Sequence, residues 1–486
     1  MPPEKSLSRS LSLFPATAIV IGSVVGSGIF VSSSGMARAL GSAHLLLLVW
    51  VIAGVLTLLG ALTQCELIGL MPRTGGLYEY LKEIYGEPIG FLYGWANFMI
   101  AGSGAIAAIA FICASFVSEW VVLPHLSEHF EKWPVTIPWV GTLFPLADLG
   151  TKILGSAVIA FLTVLNIRGI KLGAWVQSIS TSSKVIAILL VVAVAFAAGG
   201  SVGSYSNFHS VTSQGAALSG WALIGAVGLA MSGAFWSYDG WGNIAYIAGE
   251  VREPEKTIPR AILLGTFLFI SLYLLINLAY LYILPIEVMG QSPQDRVASS
   301  MMSAVLGPRG AMLVAALIIL STFDTTNSTV LTNARVYYAM ARDRVFWRPA
   351  EKIHPRFQTP YLALACQGVW SVILLISGSF DLITSMYVFV NWLLYVLMAV
   401  GIFVMRRRHP KGDRARPFVV PGYPYLPGAF VLFSSIYVLV TLVADIQLYL
   451  AGGQPMIKSL MGLLLVATGL PFYLYWKKSR RLESHS

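Results

Sequence analysis

Charged residues are scarce in this sequence of 486 residues. Asp, Glu, Lys and Arg make up only 11% of the chain, and 56% of the residues are hydrophobic. A typical soluble domain has roughly 25% charged residues, so a soluble globular protein is excluded. Apolar stretches of about 20 residues, long enough to cross a bilayer core of roughly 30 Å, recur along the chain. They predict an all-α membrane protein.

Cysteine and histidine are rare as well. The three cysteines, Cys65, Cys113 and Cys366, fall within apolar stretches and form no CxxC pair, so neither a disulfide framework nor a zinc site is indicated. The seven histidines lie in loops or near the ends of predicted spans. The sequence also has no HExxH motif and no TVGYG-like filter, which disfavours a metalloenzyme and a channel. We expect no metal, no cofactor and no enzymatic activity.

Positive charge is concentrated in predicted loops and ends on one side of the membrane. The net charge of +10 includes the runs RRRHPKGDRAR (406–416) and KKSRR (477–481), and each run directly follows an apolar stretch. By the positive-inside rule, this asymmetry predicts cytoplasmic N- and C-termini in a multi-pass protein of the cell membrane, plasma or inner. We expect these residues to contact lipid headgroups and no nucleic acid.

The apolar stretches predict twelve spans, of which the first and sixth are broken. A cytoplasmic tail (1–13) precedes five spans within 14–199 and five within 219–404, and helices 11 and 12 (430–476) and a second cytoplasmic tail (477–486) follow. Since five is odd, the second half enters the membrane from the opposite side, which predicts a 5+5 inverted repeat. The predicted spans cover 14–39, 44–70, 88–119, 150–167, 173–199, 219–249, 261–284, 310–340, 361–379, 382–404, 430–450 and 457–476.

Two predicted spans break at Gly- and Ser-containing motifs, GSVVGSGIF (22–30) in the first and SYDGWGN (237–243) in the sixth. A helix break frees backbone donors and acceptors that hydrocarbon cannot satisfy, so it persists where it lines a cavity enclosed by protein. Breaks at corresponding positions of two halves are typical of a secondary transporter, which binds its solute between them.

The first break predicts an anion site. A half-helix that starts here leaves the N–H groups of Ser27, Gly28 and Ile29 unpaired at its positive end. Because no Arg or Lys lies near to suit a phosphate, a carboxylate is the expected ligand. The carbonyls of Val24 and Gly26 could accept the donors of an ammonium. The alternative is a small-residue contact between packed helices.

The second break adds polar and aromatic groups, among them Ser237 and Asp239. Its unwound carbonyls, together with those of the first break, would complete a site for a zwitterion. Trp236 directly precedes the break and is expected to cap a small pocket, although any one of the aromatic residues could simply pack in the core. Asp239 could carry a proton or attract a cationic side chain of the substrate.

Lys184 lies in the middle of the fifth predicted span, where an unpaired ammonium is costly. It could replace a bound Na⁺ by bridging carbonyls of the broken first helix to hydroxyls of span 8, such as those of Ser321 and Thr322. The alternative is a structural ion pair with Asp324. Asp324 could instead be solvated by neighbouring hydroxyls, carry a proton or attract a cationic substrate.

Several motifs spread over the chain resemble the L-type amino acid transporter (LAT) family of the amino acid-polyamine-organocation superfamily. Besides Lys184 they are GSGIF (26–30), YDGW (238–241), GEVREPEKTIPRA (249–261), NARVYYAMARD (333–343), FVNWL (389–393) and GLPFYLYWKK (469–478). The resemblance implies the 5+5 inverted-repeat fold and Na⁺-independent movement of amino acids, commonly by exchange.

The resemblance also implies roles for individual residues. The family's carboxylate contacts fall on Ser27 and Gly28, its amino-group contacts on the backbone of Val24 and of 236–237, its gating aromatic on Trp236, its Na⁺-replacing lysine on Lys184 and a polar pocket residue on Asn391. Two features depart from the family. The external loop Trp120 to Gly150 has no Cys, so no disulfide-linked accessory subunit is expected, and Asp324 stands where members often have Gly.

These observations together predict a Na⁺-independent carrier that moves amino acids by alternating access, most simply an exchanger of neutral L-amino acids. The alternative within transport is a proton-coupled permease, or one of broad range that also accepts cationic amino acids. The preferred side chain, the direction of net flux and the oligomeric state do not follow from the residues.

Overall fold

The computed structural model describes residues 11–71, 75–138, 141–168, 174–409 and 416–485. Residues 1–10 of the predicted N-terminal tail, residues 410–415 of the basic run and the side chains of 479–485 lie outside this description. Most described residues are helical. The strands found among them, Val135–Ile137 and Gly141–Leu143, form an antiparallel hairpin in the loop before the fourth span.

Helices occupy all twelve predicted span positions in the described part of the chain. Ten are long and apolar enough to cross a membrane, a pair bent by 41° makes an eleventh, and the ninth is an apolar helix of 17 residues. The predicted helical membrane protein is therefore confirmed. The helices are span 1a (Leu13–Val24), span 1b (Gly28–Leu40), span 2 (Ala43–Leu70), span 3 (Glu87–Ala96, Asn97–Ala101 and Gly102–Val117), span 4 (Leu149–Ile167), span 5 (Ala174–Ala198), span 6 (Gly220–Tyr238), span 7 (Pro254–Ile283), span 8 (Pro308–Arg342), span 9 (Tyr361–Ser377), span 10 (Phe380–Arg408), span 11 (Tyr425–Leu450) and span 12 (Lys458–Ala467 and Gly469–His485).

Short helices connect the spans. The amphipathic helix Leu77–Tyr85 lies between spans 2 and 3 and buries its apolar face, as the sequence pattern suggests. The other connecting α-helices are Glu128–Glu131, Ser213–Ala217, Ile286–Gly290 and Val297–Leu306, and 3₁₀ helices cover Gly199–Ser201, Tyr205–His209, Asn243–Glu250, Pro293–Asp295 and Arg348–Glu351.

Both predicted breaks are present, and they meet. Span 1a ends at Val24 and span 1b begins at Gly28, while span 6 ends at Tyr238 and continues after a turn as the 3₁₀ helix Asn243–Glu250. Glycine is required at the meeting point, because a Cβ on Gly28 would lie 2.6 Å from Ser237 Cα. The two breaks therefore pack directly against each other in the centre of the bundle.

Span 3 contains an irregularity that the sequence does not announce. Residues Asn97–Ala101 form a π-helical turn between two α-helical stretches. A π-helical turn inside an α-helix is rare and is frequently found at a functional site. The π-helical turn packs against span 10, and the α-helical stretch that follows it packs against span 8.

Candidate functional site

A cavity of about 80 Å³ opens where the two breaks meet. Five spans line it: Val24, Gly26, Ser27 and Gly28 from the first break; Trp236, Asp239, Gly240, Gly242, Asn243 and Tyr246 from span 6 and its continuation; Tyr93, Asn97, Ala101, Gly102, Ala105 and Ile109 from span 3; Thr325, Thr329 and Asn333 from span 8; Tyr387, Asn391 and Tyr395 from span 10.

The first break presents unpaired backbone donors to this region. The N–H groups of Ser27, Gly28 and Ile29 donate to no backbone carbonyl among the described residues, because span 1b starts at Gly28 and these groups precede its first full turn. Ser27 and Gly28 line the cavity. Ile29 does not line it, and its side chain is fully buried in the core.

The carbonyl of Val24 is less free than the sequence suggests. Tyr273 of span 7 donates a hydrogen bond of 3.0 Å to it, so one of its two acceptor positions is already used. The sequence gives no sign of this contact, since Tyr273 lies almost 250 residues further along the chain. Gly26 borders span 8, where a Cβ would lie 3.2 Å from Thr325 Cγ2.

Trp236 separates the central cavity from a second, outer cavity of about 510 Å³, because its side chain lines both. Its ring packs edge-on against Tyr387 at 5.0 Å and Phe380 at 6.0 Å between ring centroids. Its buried indole N–H has no hydrogen-bond partner within the described residues. The side chain of Ser237, in contrast, turns away and donates to Gly233 O at 2.9 Å, so it does not line the cavity.

Asp239 forms a hydrogen-bonded cluster with three residues of span 10. Its carboxylate accepts hydrogen bonds from Tyr387 Oη, from Tyr395 Oη at 2.6 Å and from Asn391 Nδ2 at 3.3 Å. All four side chains line the central cavity. Each of the three donors is uncharged, and no Lys or Arg of the described residues forms an ion pair with Asp239.

Lys184 lies behind the cavity wall. Its ammonium forms an ion pair with Asp324 at 2.8 Å and donates to Thr325 Oγ1 at 2.9 Å. The side chains of Lys184 and Asp324 are both largely buried. The structure thus contains the ion pair that the sequence offers as an alternative. Thr325 lines the cavity, whereas Lys184 and Asp324 do not.

The expected hydroxyl partners of Lys184 were wrong. Ser321 Oγ has no hydrogen-bond partner among the described residues, and Thr322 Oγ1 donates to Ile318 O at 2.7 Å within its own helix. Thr325 lies one helical turn beyond Ser321 on the same face of span 8. Its Oγ1 accepts a hydrogen bond from the Lys184 ammonium and donates one to Ser321 O at 2.9 Å. Sequence spacing identifies this face of span 8, but it does not show which helical turn of that face contacts Lys184.

Sequence reasoning missed the polar residues beside the breaks. Thr325, Thr329 and Asn333 recur every four residues along span 8, a spacing that places them on one helix face and could have been recognised. Tyr93 and Tyr246 line the cavity on the far side of the second break from Trp236, with their hydroxyls 2.7 Å apart. No pattern in the sequence indicates this pair.

A cavity formed by two helix breaks near the middle of a multi-span bundle defines the class of secondary transporters. Within that class, residues 11–467 match the amino acid permease family model. The chain belongs to the amino acid permease family.

Curated relatives cover nearly the whole chain. The serine/threonine exchanger SteT of Bacillus subtilis (strain 168) is 29% identical and covers 98% of this chain and 99% of its own length. The human b(0,+)-type amino acid transporter 1 is 30% identical over 97% of this chain and 88% of its own. The mouse large neutral amino acids transporter small subunit 2 is 28% identical over 97% and 82%.

Proposed function

We propose that this permease is a Na⁺-independent exchanger of neutral L-amino acids that works by alternating access. Its similarity to the serine/threonine exchanger SteT supports the transport mode. Its similarity to a large neutral amino acids transporter supports the substrate class. The observation that carries the proposal is the meeting of two helix ends of opposite polarity beside one cavity.

The two helix ends match the charges of a zwitterion. Span 1b begins at Gly28 with unpaired N–H groups and a partial positive charge, and span 6 ends at Tyr238 with a partial negative charge. In this proposal the substrate carboxylate binds the N–H groups of Ser27 and Gly28. Its ammonium lies towards Asp239 and the remaining acceptor position of Val24 O, both of which line the cavity.

Lys184 takes the place of a bound Na⁺ in this proposal. Its ammonium joins span 5 to span 8 through Asp324 and Thr325, and Thr325 contacts the first break next to Gly26. A fixed ammonium supplies the positive charge and the hydrogen bonds with which a metal ion would hold these helices together.

Alternating access requires that the cavity be closed first on one side and then on the other. Trp236 closes it towards the outer cavity before the break in span 6, and the Tyr93–Tyr246 hydrogen bond joins span 3 to the 3₁₀ helix after that break. Both closures depend on span 6, so movement of this helix relative to spans 3 and 10 would open either side.

The helix contacts support a 5+5 inverted repeat. Span 1a packs on spans 5 and 7, span 6 packs on spans 10 and 2, span 3 packs on span 4 and span 8 packs on span 9. Exchanging each span with the one five positions away maps these contacts onto one another. We place the termini in the cytoplasm of a cell-membrane protein, on the basis of the positive charge described above, and we propose that the chain works without a disulfide-linked partner because the loop Trp120 to Gly150 has no Cys.

Counterflow in proteoliposomes tests the function. Labelled alanine is expected to enter vesicles loaded with unlabelled alanine and to enter empty vesicles far more slowly. Uptake into empty vesicles driven by a pH gradient would instead identify a proton-coupled permease.

Two further measurements test the carboxylate site. Alanine methyl ester and alaninamide should compete poorly, because neither carries an anion for the N–H groups of span 1b. Gly28→Ala should abolish exchange, since its Cβ would collide with Ser237. Gly35→Ala is a matched control on the same helix, where a Cβ meets nothing within 4 Å. Equal competition by the ester and the free acid would contradict the assignment.

A further inference from the structure

The central cavity contains a second polar feature, formed by two amides. Asn97 of the π-helical turn in span 3 and Asn333 of span 8 are joined by a hydrogen bond of 3.3 Å from Asn97 Nδ2 to Asn333 Oδ1, and both residues line the cavity. Neither residue is part of the helix breaks that hold the zwitterion. We call them the amide pair.

The amide pair leaves one donor and one acceptor unused. Asn97 Oδ1 and Asn333 Nδ2 have no hydrogen-bond partner among the described residues. Both atoms keep some solvent access, and both residues line the cavity, so these two atoms face it. The assignment of oxygen and nitrogen in the two amides does not change this conclusion. If both amides are flipped, the bond between them still leaves one carbonyl oxygen and one NH₂ group unused. The pair therefore offers complementary groups to a ligand.

The surrounding helices hold the amide pair in place. Asn97 Nδ2 also donates to Tyr337 Oη at 3.3 Å, and Tyr337 Oη donates back to Asn97 O at 3.1 Å, the carbonyl at the start of the π-helical turn. Gly102 allows spans 3 and 8 to approach, since a Cβ there would lie 2.4 Å from Tyr337 Oη and 2.9 Å from Asn333 Cγ. The irregular turn and this glycine are the features that bring the two amides together.

We propose that the amide pair is the specificity site for the substrate side chain and that it selects a side-chain carboxamide, as in asparagine or glutamine. This proposal rests on the proposed function and names the substrate class within it. A carboxamide carries one donor group and one acceptor and can satisfy both unused positions, whereas an aliphatic side chain of the same size leaves them unpaired. A site that hydrogen-bonds a substrate group rejects an analogue lacking that group strongly, because the buried polar groups of the site are then left unpaired.

Asparagine and leucine are the natural test ligands, because their side chains have the same shape and differ in hydrogen bonding. In counterflow with labelled alanine, we expect unlabelled asparagine to compete roughly tenfold better than leucine, the effect of about two ordinary hydrogen bonds. Asn97→Leu and Asn333→Leu should each bring this ratio close to one, or below it. The ratio is measured within each variant, so a change in the absolute rate of alanine exchange does not affect the comparison. Two variants on different helices protect the test against one of them failing to fold.

A second amide pair provides the matched control. Asn166 Nδ2 donates to Asn327 Oδ1 at 2.7 Å between spans 4 and 8, and neither residue lines the cavity. Asn166→Leu removes the same kind of bond and should leave the asparagine-to-leucine ratio unchanged. Equal competition by asparagine and leucine in the unmutated protein, or a ratio that survives both cavity variants, overturns the proposal. The absence of alanine exchange in the unmutated protein would instead contradict the proposed function.

Discussion

Asp324 and Asp239 both lie among the membrane-spanning helices, and their surroundings differ. Asp324 of span 8 is paired with the ammonium of Lys184 at 2.8 Å and lies outside the central cavity. Asp239, at the second break, lines the cavity and accepts hydrogen bonds from Tyr387, Tyr395 and Asn391. One carboxylate has a cation within the protein, and the other has only neutral donors.

The difference separates a structural charge from one that is available to a ligand. A buried carboxylate is costly unless a cation or hydrogen bonds compensate it. The Lys184 ammonium neutralises Asp324 internally, so a substrate has nothing to gain there. Asp239 has no cation beside it among the described residues, and three donors orient its carboxylate beside the cavity, so it suits the ammonium of an amino acid.

The largest effect is expected from Lys184→Ala. This change leaves the buried Asp324 carboxylate without a cation, and breaking a buried ion pair in this way typically costs about 3–5 kcal/mol. We expect a large fall in thermal stability and loss of exchange, measured by thermal unfolding in detergent and by counterflow. The double variant Lys184→Met with Asp324→Asn removes both charges and should recover much of the stability. A single variant as stable as the unmutated protein would contradict the role of the pair.

Asp239→Asn should have the next largest effect, on binding rather than on folding. Losing a charge-assisted hydrogen bond to the substrate ammonium costs about 1.5–3 kcal/mol, so the half-saturating alanine concentration should rise roughly 10- to 100-fold. Asp324→Asn is the matched control, because it changes the same group outside the cavity. It should lower thermal stability and leave the half-saturating concentration unchanged.

Substrate charge distinguishes the two possible ligands of Asp239. If Asp239 binds the α-ammonium, Asp239→Asn weakens alanine and lysine alike. A variant that keeps alanine exchange and loses only lysine or arginine would show that this carboxylate serves a cationic side chain, and the assignment to the α-ammonium would be wrong.

The breaks were predictable because each depends on a local pattern. Gly28 and Gly240 interrupt apolar stretches that are otherwise long enough to span a membrane, and a broken helix at that depth has few physical explanations. The number of spans follows from hydropathy in the same way. The ion pair of Lys184 and Asp324 was foreseen as one of two alternatives because each residue alone would be too costly at that depth.

The partners of these residues were not predictable, because they come from distant parts of the chain. Tyr273 reaches Val24 O from span 7, and Tyr387 and Tyr395 reach Asp239 from span 10. Each contact depends on the rotation of a whole helix, which hydropathy does not determine for helices that are apolar on most faces. The π-helical turn at Asn97 has no compositional signal either, so the amide pair emerges only from the structure.

The smallest effect, and the most specific to Lys184, is expected from removing Na⁺. The Lys184 ammonium already occupies the position between Asp324 Oδ2 and Thr325 Oγ1, the oxygens that a cation at this place would need. An ion can be coupled to transport only if it binds the protein more tightly in one state than in another, so without a site Na⁺ has no coupling energy to contribute. Replacing Na⁺ with K⁺ or choline at constant ionic strength should therefore leave the initial rate of alanine exchange unchanged. A steep dependence on Na⁺ in the unmutated protein would contradict this view. It would also mean that a metal ion binds elsewhere, and the Asp239 carboxylate, which has no ion-pair partner among the described residues, would be the first candidate for that site.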